Sequence, residues 1–287
     1  MQLPDEITID SVRYAKGRGP EVSISWLRLD KSDPITGGNK WFKLQHNLRT
    51  FRAGSYQGVL SFGGPYSNHL AALAECCRRE GIPCIGIVRE TEAGMDTITL
   101  QRAAQSGMRI EVVSRSEYRA LRNPDYQIHF LKQFGNMMLI PEGGSNLEGV
   151  LGCSSISDFI PSRFTDVALP VGTGCTLCGI DRSLPSAQRL LGIKVLEARQ
   201  ESQPFCDGLS QRVSWESGFT FGGYARTDQA LMDLVSDWNF RFPDIPIEPV
   251  YTGKLLFGVL SLMERGELNR DGQVLLCHTG GLQAYLR

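Results

Sequence analysis

The chain has almost no charge imbalance: 30 lysines and arginines face 31 aspartates and glutamates, for a net charge of −1. The two signs are interspersed, so neither nucleic acid nor an anionic membrane surface is an expected partner. It also lacks any apolar run near the roughly 20 residues that a membrane-spanning helix requires. The segment from Met1 to Pro20 is polar and carries acids, unlike a secretory signal. Eight cysteines are present, but over this length they do not make a disulfide scaffold. Cys76, Cys77, Cys84 and Cys277 sit in apolar helix- or strand-like contexts, which suits buried thiols in a reducing compartment. Cys175 and Cys178 form a C-x-x-C, yet no second pair lies at zinc spacing, so no metal site is expected. Internal repeats, low-complexity tracts and long linkers are absent too. What remains is a cytoplasmic α/β protein, long enough at 287 residues for two lobes.

Strand-like and helix-like segments alternate along most of that length. Val59-Leu60-Ser61-Phe62 leads through a glycine turn into a helix over about 68–80, which Gly81 caps. Cys84 to Val88 reads as the next strand, followed by a helix near 96–106 and a strand at Ile110 to Val113. Further strands are expected at Met138 to Ile140, Val167 to Val171, Ile193 to Leu196 and Val274 to Cys277. Such alternation predicts parallel sheets covered by helices on both faces. Ligands in such sheets bind outside the carboxyl ends of the strands, and a two-lobed chain without a linker places the site in the crevice between lobes.

Several loops at those strand ends carry chemistry. Lys40 closes the run Gly37-Gly38-Asn39-Lys40, a lone amine in a tight turn. Gly172-Thr173-Gly174-Cys175-Thr176 follows the strand ending at Val171 and opens a helix, so its N–H groups and hydroxyls can cradle an anion. It lacks the Lys-Ser/Thr ending of a nucleoside triphosphatase loop. An isolated lysine plus a separate phosphate cradle is what a pyridoxal phosphate enzyme needs: an amine to hold the cofactor and a seat for its phosphate. Ser67-Asn68-His69 stands at a helix start, as simple capping or as a carboxylate site. Tyr251, before Thr252-Gly253-Lys254, is either a core tyrosine or a phenol over the substrate. His278-Thr279-Gly280-Gly281 is either a plain turn or a hydroxyl against a flat ring.

In order, Gly-Gly-Asn-Lys, Ser-Asn-His, Pro-Glu-Gly-Gly-Ser-Asn (141–146), the loop at 172–176, Val-Tyr-Thr-Gly-Lys and His-Thr-Gly-Gly resemble one family. It is the 1-aminocyclopropane-1-carboxylate deaminase / D-cysteine desulfhydrase family of pyridoxal phosphate enzymes, of the tryptophan-synthase-β fold type. The resemblance covers about Lys31 to the C-terminus. It implies two open, twisted, mostly parallel sheets flanked by helices, a large cofactor-binding unit of residues 1–42 plus 149–287, a small inserted unit of 43–148, and a homodimer. Lys40 would carry the cofactor, Asn68 would meet its ring oxygen, and Gly172, Thr173, Gly174, Cys175 and Thr176 its phosphate. Ser67, Asn68, His69, Tyr224 and Tyr251 would surround a small amino acid, with Lys40, Ser67 and Tyr251 catalytic.

Ring-opening deaminases that resemble the chain carry Glu where it has Thr252 and an aliphatic residue where it has Thr279. Hydroxyls at the ring nitrogen make a milder electron sink than a carboxylate. That resemblance therefore implies β-elimination from D-cysteine or a similar amino acid, giving pyruvate, ammonia and sulfide. Ring opening to 2-oxobutyrate, a non-catalytic carrier of the cofactor and a binding protein for another phosphate ligand remain as alternatives. Tyr66 and Phe42 stand where the family usually has Gln and Arg, and both are expected to reshape the pocket.

Overall fold

A computed structural model describes residues 7–282 apart from 18, 34, 93, 197–207 and 270–272. The first six residues of the polar N-terminal segment, and both ends of the expected large unit, lie outside the described residues. Strands β1 (Ile9–Tyr14), β2 (Val22–Leu27), β7 (Asp166–Val171), β8 (Arg189–Lys194), β9 (Val213–Glu216) and β10 (Val274–Cys277) join in the order β1-β2-β10-β7-β8-β9. A second sheet is built from β3 (Gly58–Gly63), β4 (Cys84–Arg89), β5 (Arg109–Val113) and β6 (Met137–Ile140), in the order β5-β4-β3-β6. Only β1 and β2 pair antiparallel among the described residues, from Ile9 opposite Leu27 to Tyr14 opposite Val22. The other pairings are parallel, as continuous apolar strands separated by helices require.

All six residues of β7 are buried, which is why its sequence shows no polar alternation. Pro170 sits inside it without breaking a ladder. Even-numbered residues of β7 turn toward β10, where Asp166 N–H donates to Gln273 O at 3.2 Å. That pairing ends with Leu276 opposite Ala168, and His278 N–H already turns to Leu27 O. The pairing with β10 thus stops just short of the N–H that proline lacks. The strand expected at Ile193 to Leu196 begins four residues earlier, because Arg189–Lys194 pairs in full with β7. Leu196 has left the sheet and lines a cleft instead.

Helices cover both faces of each sheet. On one face of the larger sheet lie α8 (Gln229–Arg241) and α9 (Thr252–Glu264), with Trp238 edge-on to Trp26 at 5.9 Å. The opposite face is covered by α6 (Leu147–Ser154), α7 (Cys175–Ser183) and the start of α1 (Asn39–Ala53). On the smaller sheet α2 (Asn68–Glu80) and α3 (Ile98–Gln105) oppose α4 (Arg115–Ala120) and α5 (Pro124–Leu131). Burying each large apolar side chain in these layers stabilises the fold by about 1.5–3 kcal/mol. Helix α1 serves both layers: Trp41 and Phe42 enter the core of the larger sheet, Leu44 and Leu48 that of the smaller. The boundary expected at residue 43 therefore falls inside a continuous helix.

Candidate active site

A cleft of about 560 Å³ opens at the carboxyl ends of the strands of both sheets. Its walls come from the turns after β3, β4, β6, β7 and β10, together with the first turn of α1. Lys40 lies in that first turn. Gly38 precedes the helix at φ 89°, and a Cβ there would stand 2.1 Å from Thr279 O, so only glycine fits. Asn39 N–H then donates to Thr279 O at 3.2 Å and Asn39 Nδ2 to Thr176 Oγ1 at 2.9 Å. The segment that carries Lys40 is thus tied to the turns after β10 and β7.

Burial strips water from the Lys40 ammonium and Lys43, one turn on, repels it, so its pKa falls to about 7. A lysine at its ordinary value of 10.5 would hold roughly a thousandfold less free amine at neutral pH. Lys43 is itself buried in the cleft wall and donates to Gly143 O at 3.2 Å. Sequence reasoning missed it, although the i, i+3 spacing puts both lysines on one helix face.

The small-residue loop behaves as an anion seat. Gly174, at φ 85°, precedes α7, whose first turn has no side-chain cap and leaves its N–H groups open. Ser145 Oγ donates to Thr173 Oγ1 at 2.6 Å, which steadies the loop from the side. Cys175 gives the seat its backbone only, since its buried, free thiol turns away to Gly144 O at 3.6 Å. Among the described residues no cluster of His, Cys, Asp or Glu could hold a metal ion.

At the start of α2 the Ser67 hydroxyl accepts the Leu70 N–H at 3.3 Å, so the capping role is real. Its own O–H stays free to donate into the cleft. Asn68 Oδ1 is shielded from solvent and has no hydrogen-bond partner. His69 Nε2 meets Ser61 Oγ at 2.9 Å, while Nδ1 is buried without a partner. Burial, Lys40 and Lys43 together hold the His69 pKa well below its ordinary value, so the ring is neutral. Unpartnered buried polar atoms beside a low-pKa amine fit a polar ring seated there.

Tyr251 occupies the position before α9, with its ring over Gly172 and edge-on to Tyr224 at 6.4 Å. Burial, and then the nearby Tyr224 and Glu248, push its phenol well up, so it remains a proton donor. Tyr224 is 54% exposed at the mouth of the cleft. Its loop is held by Lys254, whose buried Nζ donates to Thr220 O at 2.8 Å, Gly223 O at 2.9 Å and Val195 O at 3.2 Å.

Two expectations need correction. Thr252 does not reach the cleft. It is fully buried, and its hydroxyl donates to Glu248 Oε1 at 3.1 Å while accepting the Glu248 N–H at 2.9 Å. The cause is the open start of α9: the buried Glu248 carboxylate caps it by accepting N–H groups from Val250, Tyr251 and Thr252. Thr279, in contrast, lines the cleft. Phe42 does not shape the pocket either. It is fully buried, edge-on to Trp41 at 5.0 Å and to Phe159 at 6.2 Å. Tyr66 does line the cleft, half-exposed at its rim. Sequence reasoning also missed Arg89, Tyr118, Arg122 and Glu142 on the same wall. The usable signal was Arg89, a lone charge closing an otherwise apolar strand.

Known proteins resemble this chain in sequence and in fold. The family model for pyridoxal-phosphate dependent enzymes matches residues 9–235. A D-cysteine desulfhydrase of Yersinia pestis (strain Pestoides F) is 26% identical over 294 residues, covering 90% of this chain and 87% of that protein. A Pyrococcus horikoshii protein provisionally named 1-aminocyclopropane-1-carboxylate deaminase is 24% identical, covering 88% and 83%. The crystal structure of an ACC deaminase homologue superposes with a TM-score of 0.78 at 24% identity, over 92% of this chain and 86% of that one. With Lys40, the anion seat and the unpartnered Asn68 and His69 atoms fitting the cofactor, the chain belongs to the pyridoxal-phosphate dependent enzymes.

Proposed function

We propose that this enzyme is a lyase that eliminates the β-substituent of D-cysteine or a similar small amino acid. The observation that carries the reading is one cleft lined by a low-pKa Lys40 amine and by Thr279, with no carboxylate following Tyr251. Glu248, the nearest acid in sequence to Tyr251, is committed to the α9 backbone and so is withheld from a cofactor ring. Similarity to D-cysteine desulfhydrases over most of the chain supports the same substrate class.

In this reading pyridoxal phosphate, when bound, supplies the electron sink for a carbanion at Cα. The open N–H groups of α7, with Thr173 and Thr176 beside them, would hold its phosphate. Asn68 would meet its ring oxygen, and the Thr279 hydroxyl its ring nitrogen. Free N–H groups at the start of α2, with Ser67, take the substrate carboxylate. Lys40, whose amine is largely unprotonated near neutral pH, would take the α-proton as general base. The Tyr251 phenol protonates the departing sulfur. Cα–H and Cβ–S thus break, sulfide leaves with the electron pair, and the released enamine takes up water to give pyruvate and ammonia. The layout of the cores supports an inserted unit of 43–148 within a larger one, and the reading takes the working enzyme as a cytoplasmic homodimer.

The test is a visible spectrum of the purified protein with pyridoxal phosphate, then with D-cysteine. A band that borohydride fixes on Lys40, with pyruvate released from D-cysteine but not by the Lys40→Ala variant, is the expected result. Production of 2-oxobutyrate from 1-aminocyclopropane-1-carboxylate, with D-cysteine inert, would replace this reading with ring opening.

A further inference from the structure

One wall of the cleft carries cationic groups that the reading above does not use. Arg89 ends β4 at the carboxyl edge of the smaller sheet, and Arg122 follows α4; both line the cleft. Neighbouring Arg115 pairs with Glu92 at 3.1 Å, whereas Arg89 and Arg122 make no ion pair among the described residues. Between them stands Tyr118, with Arg89 6.0 Å from its ring centre. The Tyr118 phenol oxygen is shielded from solvent and faces the Glu142 carboxylate without closing a well-formed hydrogen bond to it. Burial and the nearby Glu142 carboxylate push that phenol up, so it keeps its proton. Glu142 lines the same cleft and offsets one of the two guanidinium charges. The wall is left with two forked donors, one loosely held phenol and a surplus of one positive charge. Arg89 is also close enough to influence the Tyr224 phenol, which places these donors across the mouth from the larger sheet.

An α-amino acid and the cofactor already have seats for their anions, at the starts of α2 and α7. We propose that the substrate carries a second anionic group at the end of its β-substituent, received by Arg89 and Arg122 with Tyr118 as a third donor. Paired guanidinium forks match carboxylate and phosphate oxygens bidentately, and the Tyr118 phenol, not firmly held by Glu142, can turn its proton to the same anion. Among the small β-substituted alanines of the lyase reading, the cleft thus favours those whose substituent ends in a carboxylate or phosphate. Only the bond that is broken rests on the lyase reading. For a carboxylated thioether, Cα–H and Cβ–S break, the proton passes to Lys40, and the carboxylated thiolate leaves with the electron pair. Water then converts the released enamine to pyruvate and ammonia.

The experiment uses the cofactor-loaded enzyme with both enantiomers of S-carboxymethylcysteine, O-phosphoserine and S-methylcysteine. Binding is read from the change in the visible band, independently of turnover. At least one anionic probe is expected to bind tenfold or more tighter than S-methylcysteine of the same configuration. The probe that shows this preference identifies the tail as carboxylate or phosphate. In an Arg89→Met/Arg122→Met double variant that preference is expected to fall toward one. Equal affinity for anionic and neutral probes overturns the proposal, as does a preference that survives the double variant or a band that no probe alters. Pyruvate is measured separately. An arginine-dependent preference without pyruvate upholds the anionic tail and removes the lyase reading; pyruvate from S-methylcysteine without any preference does the reverse.

Discussion

Gly38 and Thr279 meet backbone to backbone: a Cβ on Gly38 would lie 2.1 Å from Thr279 O and 2.7 Å from its carbonyl carbon. Neither neighbour is a flexible side chain that could give way. Gly38→Ala must therefore move either the start of α1, with Lys40 on it, or the turn after β10. Left-handed strain plus overpacking is expected to cost about 2–4 kcal/mol. Calorimetry should show a thermal midpoint lower by several degrees, and the cofactor band should weaken or vanish. An alanine variant with an unchanged band would show that the turn is not what aims Lys40.

The Lys40 amine sets a pH dependence whose sign is fixed by its lowered pKa. In the unfolded chain it binds a proton up to about 10.5, in the fold only up to about 7. The unfolded state thus holds more protons between those values, so stability of the cofactor-free protein rises with pH across that window. Cofactor loading should rise through the same lower limit. Lys43→Met removes a repelling charge, which returns the Lys40 pKa upward and moves the loading midpoint to higher pH. Stopped-flow loading at a series of pH values checks this; a midpoint shifted downward would contradict the assignment.

Thr252 and Thr279 make opposite predictions. Thr252→Val removes a buried hydroxyl that bridges Glu248, a loss of about 1–3 kcal/mol, yet it should leave the cofactor absorption unshifted. Thr279→Val should shift that absorption, because its hydroxyl is the one at the cleft. Comparing the two spectra decides between them, and a shift in the Thr252 variant alone would restore the contact that the buried geometry denies.

Lys254 holds three carbonyl oxygens beneath a loop in which Phe221 and Ala225 both stand at φ 55°, a conformation non-glycine residues rarely adopt. Lys254→Ala leaves those oxygens buried without a donor, costing about 3 kcal/mol or more, and frees Tyr224 from its place against Tyr251. The vacated site is shaped for a small monovalent cation. Added potassium or ammonium should raise the melting temperature of the variant but not of the parent protein; no difference between them would mean that the loop is held by its other contacts.

Much of this was legible in the chain because it rests on short-range chemistry. Helix α2 was readable from Ser67 to Gly81, since a capping hydroxyl and a left-handed glycine act within one turn. The anion seat at 172–176 was readable for the same reason: small residues after a buried strand leave helix N–H groups open. Strand β8 was misplaced because Ile193 to Leu196 is as apolar as the true strand, and only pairing with β7 chooses the register. Thr252 was misassigned because its neighbours in sequence do not reveal that a buried carboxylate caps the helix it begins.

The sequence by itself determined the class: alternating apolar runs point to parallel sheets, and Lys40 with a separate glycine-rich seat matches what a pyridoxal phosphate enzyme needs. What tertiary structure decided was company. Thr279 meets Asn39 and Tyr251 lies over Gly172 where the larger sheet's strands end, Arg89 and Arg122 stand near Tyr118 at the edge of the smaller sheet, and one cleft collects both groups. The lowered Lys40 pKa belongs to that level too, for desolvation is a property of the folded cleft and has no counterpart in the order of residues.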